Sequence, residues 1–405
     1  MSTKSPASIS PTWGAARSST TVSWKWPLWL WWPACPEVFV RKLLALAFAT
    51  LLSAGCASTT GVGYYWQSVT GHLQLMQAAR PVDDWLADEA APPALKERLE
   101  KARRIRAFAV SALALPDNAS YHRYADLQRR AAVYNVVAAP ALSLKLETWC
   151  FPVAGCVGYR GYFLETDAQA FADSLDAQLE VAVYPVPAYS TLGWMNWAGG
   201  DPLLSTFISY PEGELARLVF HELAHQVVYV QNDTTFNESF ATTVERLGGA
   251  LWLNRAGEQA RNDYATFDNR RRAFRALTRS TREQLQGIYT DAVLDDTAKA
   301  QQKALAMAAF RQRYSALKAG WNGYAGYDPF VARANNASFA AQAAYDDWVP
   351  AFEALFEREG RDFARFYDAV RALAERPKEE RMAALRVLAP TAMVTALNPD
   401  NSDRP

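Results

Sequence analysis

Five consecutive residues, His221-Glu222-Leu223-Ala224-His225, constrain this chain more than any other stretch. Histidines four apart on an α-helix share one face, about 6 Å apart along the axis, so both imidazoles can reach a single metal ion. The surrounding residues supply the helix this requires. Leu215, Leu218, Val219, Leu223, Val227 and Val228 recur at helical spacing. Pro211 suits a first turn, and Ser209 with Glu212 reads as a capping box. The pattern predicts a helix over 211–230. The chain holds four histidines, and two of them fall in this pentapeptide.

A polar break, Gln231 to Thr235, is followed by a second helical pattern through Phe240, Val244, Leu247 and Leu251, with Asn237 as the expected N-cap. Glu238 then falls in its first turn, and two antiparallel helices would return it to the histidine pair. Two His, one Glu and an open fourth position form a catalytic zinc pattern. One Zn2+ is the expected cofactor, with metal ligands His221, His225 and Glu238. Asp233 and Glu245 are the other carboxylates nearby. Glu222, between the histidines, is the expected catalytic general base: it takes a proton from water attacking a carbonyl and passes it to the leaving amine. Tyr159, Arg160, Tyr189 and Tyr345 are candidates for stabilising the oxyanion.

The N-terminal region points to a compartment. Arg41-Lys42 precedes an apolar run, Leu43 to Leu52, and then Ser53-Ala54-Gly55-Cys56. A charged start, a short apolar stretch and small residues at the end form an export signal, too short to span a membrane comfortably. The Ala-Gly-Cys ending resembles a bacterial lipobox, with Ser53 where Leu is usual. The expectation is a signal peptide over 41–55, lipidation of Cys56 and a membrane anchor there. Ala57 after the cysteine resembles an outer-membrane address, facing the periplasm. Residues 1–40, with Trp24, Trp26, Trp29, Trp31 and Trp32, do not read as part of the mature protein, and translation is expected to start at Val38 or Val40. The remaining cysteines, Cys150 and Cys156, form an even pair around Pro152 and Gly155, which can bend the loop for a disulfide.

The body, 56–390, reads as one domain of predominantly helical α+β class, a zincin-like core with a small mixed or antiparallel sheet; 391–405 reads as a disordered tail. Helices are expected near 64–84, 93–114, 120–146, 168–176, 211–230, 237–276, 281–318, 338–357 and 361–375, with breaks inside the longest. Strand signals are 163–165, 179–184, and parts of 189–197 and 203–208. Pro185 and Pro187 give 179–184 the character of an edge strand. An edge strand ahead of the zinc helix can take an extended substrate by main-chain pairing. Ser190, Thr191 and Leu192 are therefore candidate substrate contacts. Lys+Arg and Asp+Glu are equal at 42 each, with no basic stripe, which argues against nucleic acid as a partner.

Several ordered segments resemble one family. They are Gly55-Cys56, Tyr64-Tyr65-Trp66-Gln67, Thr148 to Cys156, Tyr159-Arg160-Gly161-Tyr162-Phe163, Ser190 to Trp194, Asp201 to Thr206, the histidine motif, and Asn335-Asn336-Ala337. Over about residues 55–375 the chain resembles the predicted zinc aminopeptidases of Gram-negative bacteria, lipoproteins with a gluzincin-like site. The resemblance implies a metallopeptidase acting on peptides, with zinc on His221, His225 and Glu238 and Glu222 as base. Two departures stand out. The twelve residues between His225 and Glu238 are fewer than in well-known gluzincins, and Thr242 stands where those often carry an acidic partner for a ligand histidine. Glu245, a turn further on, is the replacement at hand. No G-x-M-E-N segment is present, so an aminopeptidase rests on the resemblance and a zinc peptidase on the residues; Asp201 is a conceivable reader of the substrate amine. A zinc endopeptidase or maturation protease of the envelope, and a non-catalytic envelope lipoprotein, are the competing readings.

Overall fold

The computed structural model describes residues 59–151, 155–343 and 348–389. The expected leader, Cys56, Tyr345 and the tail after 390 lie outside them. Met1–Val62 forms one unit and Gly63–Pro405 another; the described elements belong to the second, α1 alone beginning in the first.

Helices dominate the described residues, with three small sheets. The first half carries α1 (Thr59–Ala78), β1 (Ala79–Pro81), α2 (Val82–Ala87), α3 (Pro93–Leu113), β2 (Arg123–Ala125), β3 (Val133–Pro140), β4 (Trp149–Phe151), β5 (Gly155–Val157), β6 (Arg160–Tyr162), α4 (Glu165–Asp173), β7 (Leu179–Val186) and β8 (Leu203–Leu204). The second half is helical: α5 (Glu212–His225), α6 (Thr234–Leu253), α7 (Glu258–Thr290), α8 (Asp296–Gly320), α9 (Asp328–Arg333), α10 (Asn336–Ala343), α11 (Val349–Arg358), α12 (Phe363–Ala374) and α13 (Lys378–Leu388). The predominantly helical α+β class is therefore as expected.

The main core joins α3, α5, α6, α11 and α12 around Phe220, Phe240, Phe352 and Phe366, all fully buried. α5 and α6 pack closely because α6 carries glycine where helices touch. A side-chain carbon on Gly248 would meet Leu113 and Phe220, and one on Gly249 would meet the Arg217 stem. Adjacent mid-helix glycines cost about 1 kcal/mol each in propensity, so the close approach must offset them. The α7–α8 hairpin has a satellite core of its own, built on Phe274, Leu285, Phe310 and Tyr314.

The clearest departure lies at 120–146, where one helix was expected. Tyr121 and Gln128 have positive φ, and β2 and β3 replace the helix. β3 is the centre of an antiparallel sheet, order β6-β3-β7. Both its faces are covered, one by Phe171 and Tyr162, the other by α10, so its sequence lacks the alternation that marks a half-buried strand.

β7 is an edge strand that runs through Pro185 and ends before Pro187. Val186 uses its carbonyl to accept from Ala132 beside β3, whereas Val181 turns its carbonyl outward to accept from Asn335 Nδ2 at 2.8 Å. Residues 181, 183 and 185 thus face away from β3, and Pro185 falls where a ladder donor is not needed. The other strand expectations shift. The 163–165 signal becomes β6 at 160–162, 189–197 is a loop ending in a short 3-10 turn, and only two residues of 203–208 pair, parallel to β2.

Cys150 and Cys156 are disulfide-bonded and face each other across the β4–β5 ladder. The hairpin is tied to the α5–α6 connection, where Asn232 Oδ1 accepts the Cys156 N–H at 2.7 Å. Closing so short a loop contributes about 2 kcal/mol in the chain-entropy picture. The Cys150→Ser, Cys156→Ser double variant is expected to lose about that much in denaturant unfolding, and an unchanged midpoint would show that the bond stabilises nothing.

Candidate metal and active site

Histidines 221 and 225 occupy the last full turn of α5, as their spacing required. The helix starts differently from expectation. Pro211 is the N-cap, no Ser209 capping box forms, and Glu212 instead accepts from Trp252 Nε1 and pairs with Lys101. α5 also ends at His225, five residues early, in a loop that leads to α6.

That loop decides which carboxylate meets the histidines. α6 begins at Thr234 with Asp233, not Asn237, as its cap. Asp233 accepts from the Phe236 N–H and is held at 2.6 Å by buried Arg381, which directs it away from the histidines. Asn237 lies inside the helix, where its amide accepts from the Val230 N–H and donates to the Val230 carbonyl, both at 2.8 Å. This two-bond grip fixes the loop, and Glu238 arrives one turn into α6 rather than at its start.

The imidazole Nε2 atoms of His221 and His225 lie 3.2 Å apart, and Glu238 Oε2 lies 3.3 Å from the first and 3.7 Å from the second. Zinc with ligands at about 2.0–2.1 Å places neighbouring tetrahedral ligands about 3.3–3.4 Å apart. The three donors thus fit one tetrahedral ion and form a group that could hold a metal. The other side of His221 is also engaged: Glu245 Oε2 sits 3.0 Å from Nδ1. Glu245 in turn pairs with buried Arg217, which also donates to Tyr264 Oη and lies 3.6 Å from Asp268. Asp268 continues to Arg271, and Arg271 to Glu214.

The electrostatics follow from this packing. Burial alone would depress His221, but Glu238 and Glu245 outweigh it and hold the imidazole well above its ordinary range. Burial alone would raise Glu238, yet the charges and hydrogen bonds of His225 and His221 bring it down to about 2. Against the same burial, Arg217 and His221 hold Glu245 far below the carboxylate range. A cation placed among these donors replaces protons that the cluster otherwise holds.

Glu222 lies beside His221 on α5. Its charge acts on Tyr121, Tyr159 and Asp201. Among the described oxyanion candidates, Tyr159 is the one on which both Glu238 and Glu222 act. Burial, then Glu238 and, more weakly, Glu222, keep its phenol far above the ordinary range and therefore protonated. Arg160 instead stacks over Tyr64 and Phe171, and Tyr189 packs on His72 and Phe163. Tyr184 and Tyr229 also feel Glu238. Neither was picked out from sequence, although Tyr229 continues the four-residue spacing of the histidines and Tyr184 sits in the alternating strand β7. Asn335 caps α10 and Asn336 binds Glu180, Pro140 and Ala141, so their amides serve the fold.

Ser190, Thr191 and Leu192 form a loop, not a strand, and its polar groups are directed to Asp201. Thr191 donates its N–H and Oγ1 to that carboxylate at 3.0 and 2.7 Å, and Ser190 Oγ adds a longer bond. Gln226, the residue after His225, donates to Asp201 and Ser120 and accepts from Asn118. Asp201 is 1% exposed, so it ties this loop to the end of α5 instead of standing open to a substrate amine.

A family model described as "Putative aminopeptidase" matches residues 63–385. The chain belongs to this family. No curated protein and no solved structure matches it. The family description implies a peptidase and hence a peptide substrate.

Two predictions follow from the charges. Burial raises Asp201 to about 6, even against its hydrogen bonds from Thr191 and Ser190. A carboxyl that binds its proton more tightly when folded stabilises the fold below about pH 4, and that contribution is lost as pH rises through 6, amounting to about 3 kcal/mol. Asp201→Asn is expected to flatten this part of the stability–pH curve; an unchanged slope between pH 4 and 6 would refute the assignment. Glu245→Gln is expected to weaken metal binding about 10–100-fold by competition titration while leaving one ion per chain at saturation.

Proposed function

We propose that this protein is a zinc-dependent aminopeptidase, lipid-anchored through Cys56 in the bacterial cell envelope and facing the periplasm. The observation that carries the zinc reading is the spacing of three donors on two helices, matched to one tetrahedral ion, with a glutamate beside the first histidine. Zinc bound there supplies Lewis acidity and makes water acidic enough to act near neutral pH.

The chain's own groups do the remaining work. His221, His225 and Glu238 hold the ion, and Glu245 with Arg217 orients His221. Glu222 receives the proton of the attacking water and returns it to the leaving amine. Tyr159, protonated at all working pH values, donates to the oxygen on which negative charge develops. Ser190, Thr191 and Leu192 shape the neighbouring loop under the control of Asp201. The family description supports the aminopeptidase reading; a zinc endopeptidase would use the same groups.

The test combines metal content with hydrolysis. Glu222→Gln is expected to retain one zinc per chain and lose turnover, Glu238→Ala to lose the zinc, and Tyr159→Phe to lower kcat by about 10²–10³ with KM little changed. Absence of metal in the parent under replete conditions would instead favour a binding role. Release of free amino acids from unblocked but not N-acetylated peptides is expected, and efficient cleavage of the acetylated peptides would assign an endopeptidase.

A further inference from the structure

Helix α1 has two apolar faces, and among the described residues only one of them is covered. Tyr64 packs against Tyr162 and Phe151, Gly71 lies against the Phe163 ring, and Leu75 is buried in the main core. Gln67, on the same side, donates to the Gly161 carbonyl and accepts from the Phe163 N–H. Two positions after Tyr64, Gln67 and Gly71 come Trp66, Val69 and Leu73. A step of two residues turns a helix by about 200°, so these three form a stripe on the opposite side.

That stripe lies in solvent. Trp66 is 70% exposed, Val69 54% and Leu73 51%, with Tyr65 at its flank. α1 also contains no Asp, Glu, Lys or Arg along its whole length. An exposed helix normally turns a charged face outward. Leu305 shows the ordinary case: it is equally exposed but stands alone on α8, with Gln301, Gln302, Ala308 and Ala309 as its neighbours on the helix surface.

We propose that the Trp66–Val69–Leu73 face of α1 lies in the interfacial layer of a lipid bilayer. The occupant follows from three features. Cys56, the expected acylation site, precedes the start of α1 by three residues, which keeps the helix against the surface that holds the acyl chains. The face presents Trp and Tyr beside aliphatic side chains, the composition suited to the headgroup boundary. It also has no charge to match a charged protein surface. Among the described residues no helix is long and apolar enough to cross a membrane, so α1 lies on the bilayer. Its attachment is apolar, and it is expected to be insensitive to salt and to the fraction of anionic lipid.

The location in the cell rests on the lipid-anchor reading above, and the test separates the two. The full chain, produced with its leader in a bacterial host, carries an environment-sensitive fluorophore on Val69→Cys, Leu73→Cys or, as control, Leu305→Cys. It is reconstituted into phosphatidylcholine vesicles with and without acyl-chain nitroxide lipid, and the mass of the Cys56 peptide is measured alongside. The expected result is a blue shift and nitroxide quenching at 69 and 73, unchanged in high salt, with aqueous emission at 305. Aqueous emission at 69 and 73 on vesicle-bound, acylated protein would overturn the proposal and leave the anchor standing. A blue-shifted probe before vesicles are added would overturn it too, because another segment or a second copy would then cover the face. An unmodified Cys56 with probes that still enter lipid would retain the docking face and remove the anchor.

Discussion

One imidazole organises the centre of this protein. His221 sits between two largely shielded carboxylates, Glu245 at Nδ1 and Glu238 on the Nε2 side. Neither acid tolerates burial without a partner: breaking one member out of such a pair costs about 3–5 kcal/mol because a charge is left uncompensated. Glu245 has Arg217 behind it, and Arg217 reaches that position because Gly249 leaves room for its stem. Backbone packing, a run of alternating charges and the orientation of a metal-competent ring are therefore one arrangement. The α5–α6 hairpin cannot shift by a turn without disturbing all three.

The second wall comes from the other half of the chain. Tyr184 is carried by β7, and Tyr159 stands just ahead of β6, so the small antiparallel sheet faces the carboxylates with phenols. The disulfide-closed hairpin and Asn232 join this wall to the loop that follows His225. Asp201 and Gln226 join a further loop to the same helix end. Several connections meet where α5 stops, so the candidate site residues are placed by neighbours outside the cluster itself.

Much of this was legible in the sequence because the signals were local. Two histidines four apart predict a shared helical face, prolines beyond an alternating run predict an edge strand, and cysteines around a bend predict a disulfide. Glu238 was legible as the third donor from its place in the first turn of the second helix, while the partners of the two neighbouring carboxylates were not. Arg381 occupies Asp233 and Arg217 occupies Glu245. The failures share a cause. β3 is covered on both faces, so its residues lack the period of a strand. The caps of α5 and α6 were assigned by residue preference, whereas Arg381 and the Asn237 grip on Val230 decide the second. Asp201 looked available because sequence does not show that its oxygens are engaged from two sides.

The early end of α5 has an electrostatic consequence. Peptide dipoles aligned along a helix leave about half a negative charge at its C-terminus, concentrated on carbonyls without intrahelical partners. His225 is the last residue of α5, so the paired imidazoles stand at the negative pole of the helix that bears them. Had the helix continued to 230, as its apolar periodicity suggested, that pole would have moved more than a turn away. Where the helix stops therefore adds backbone attraction for a dication to that of the side chains.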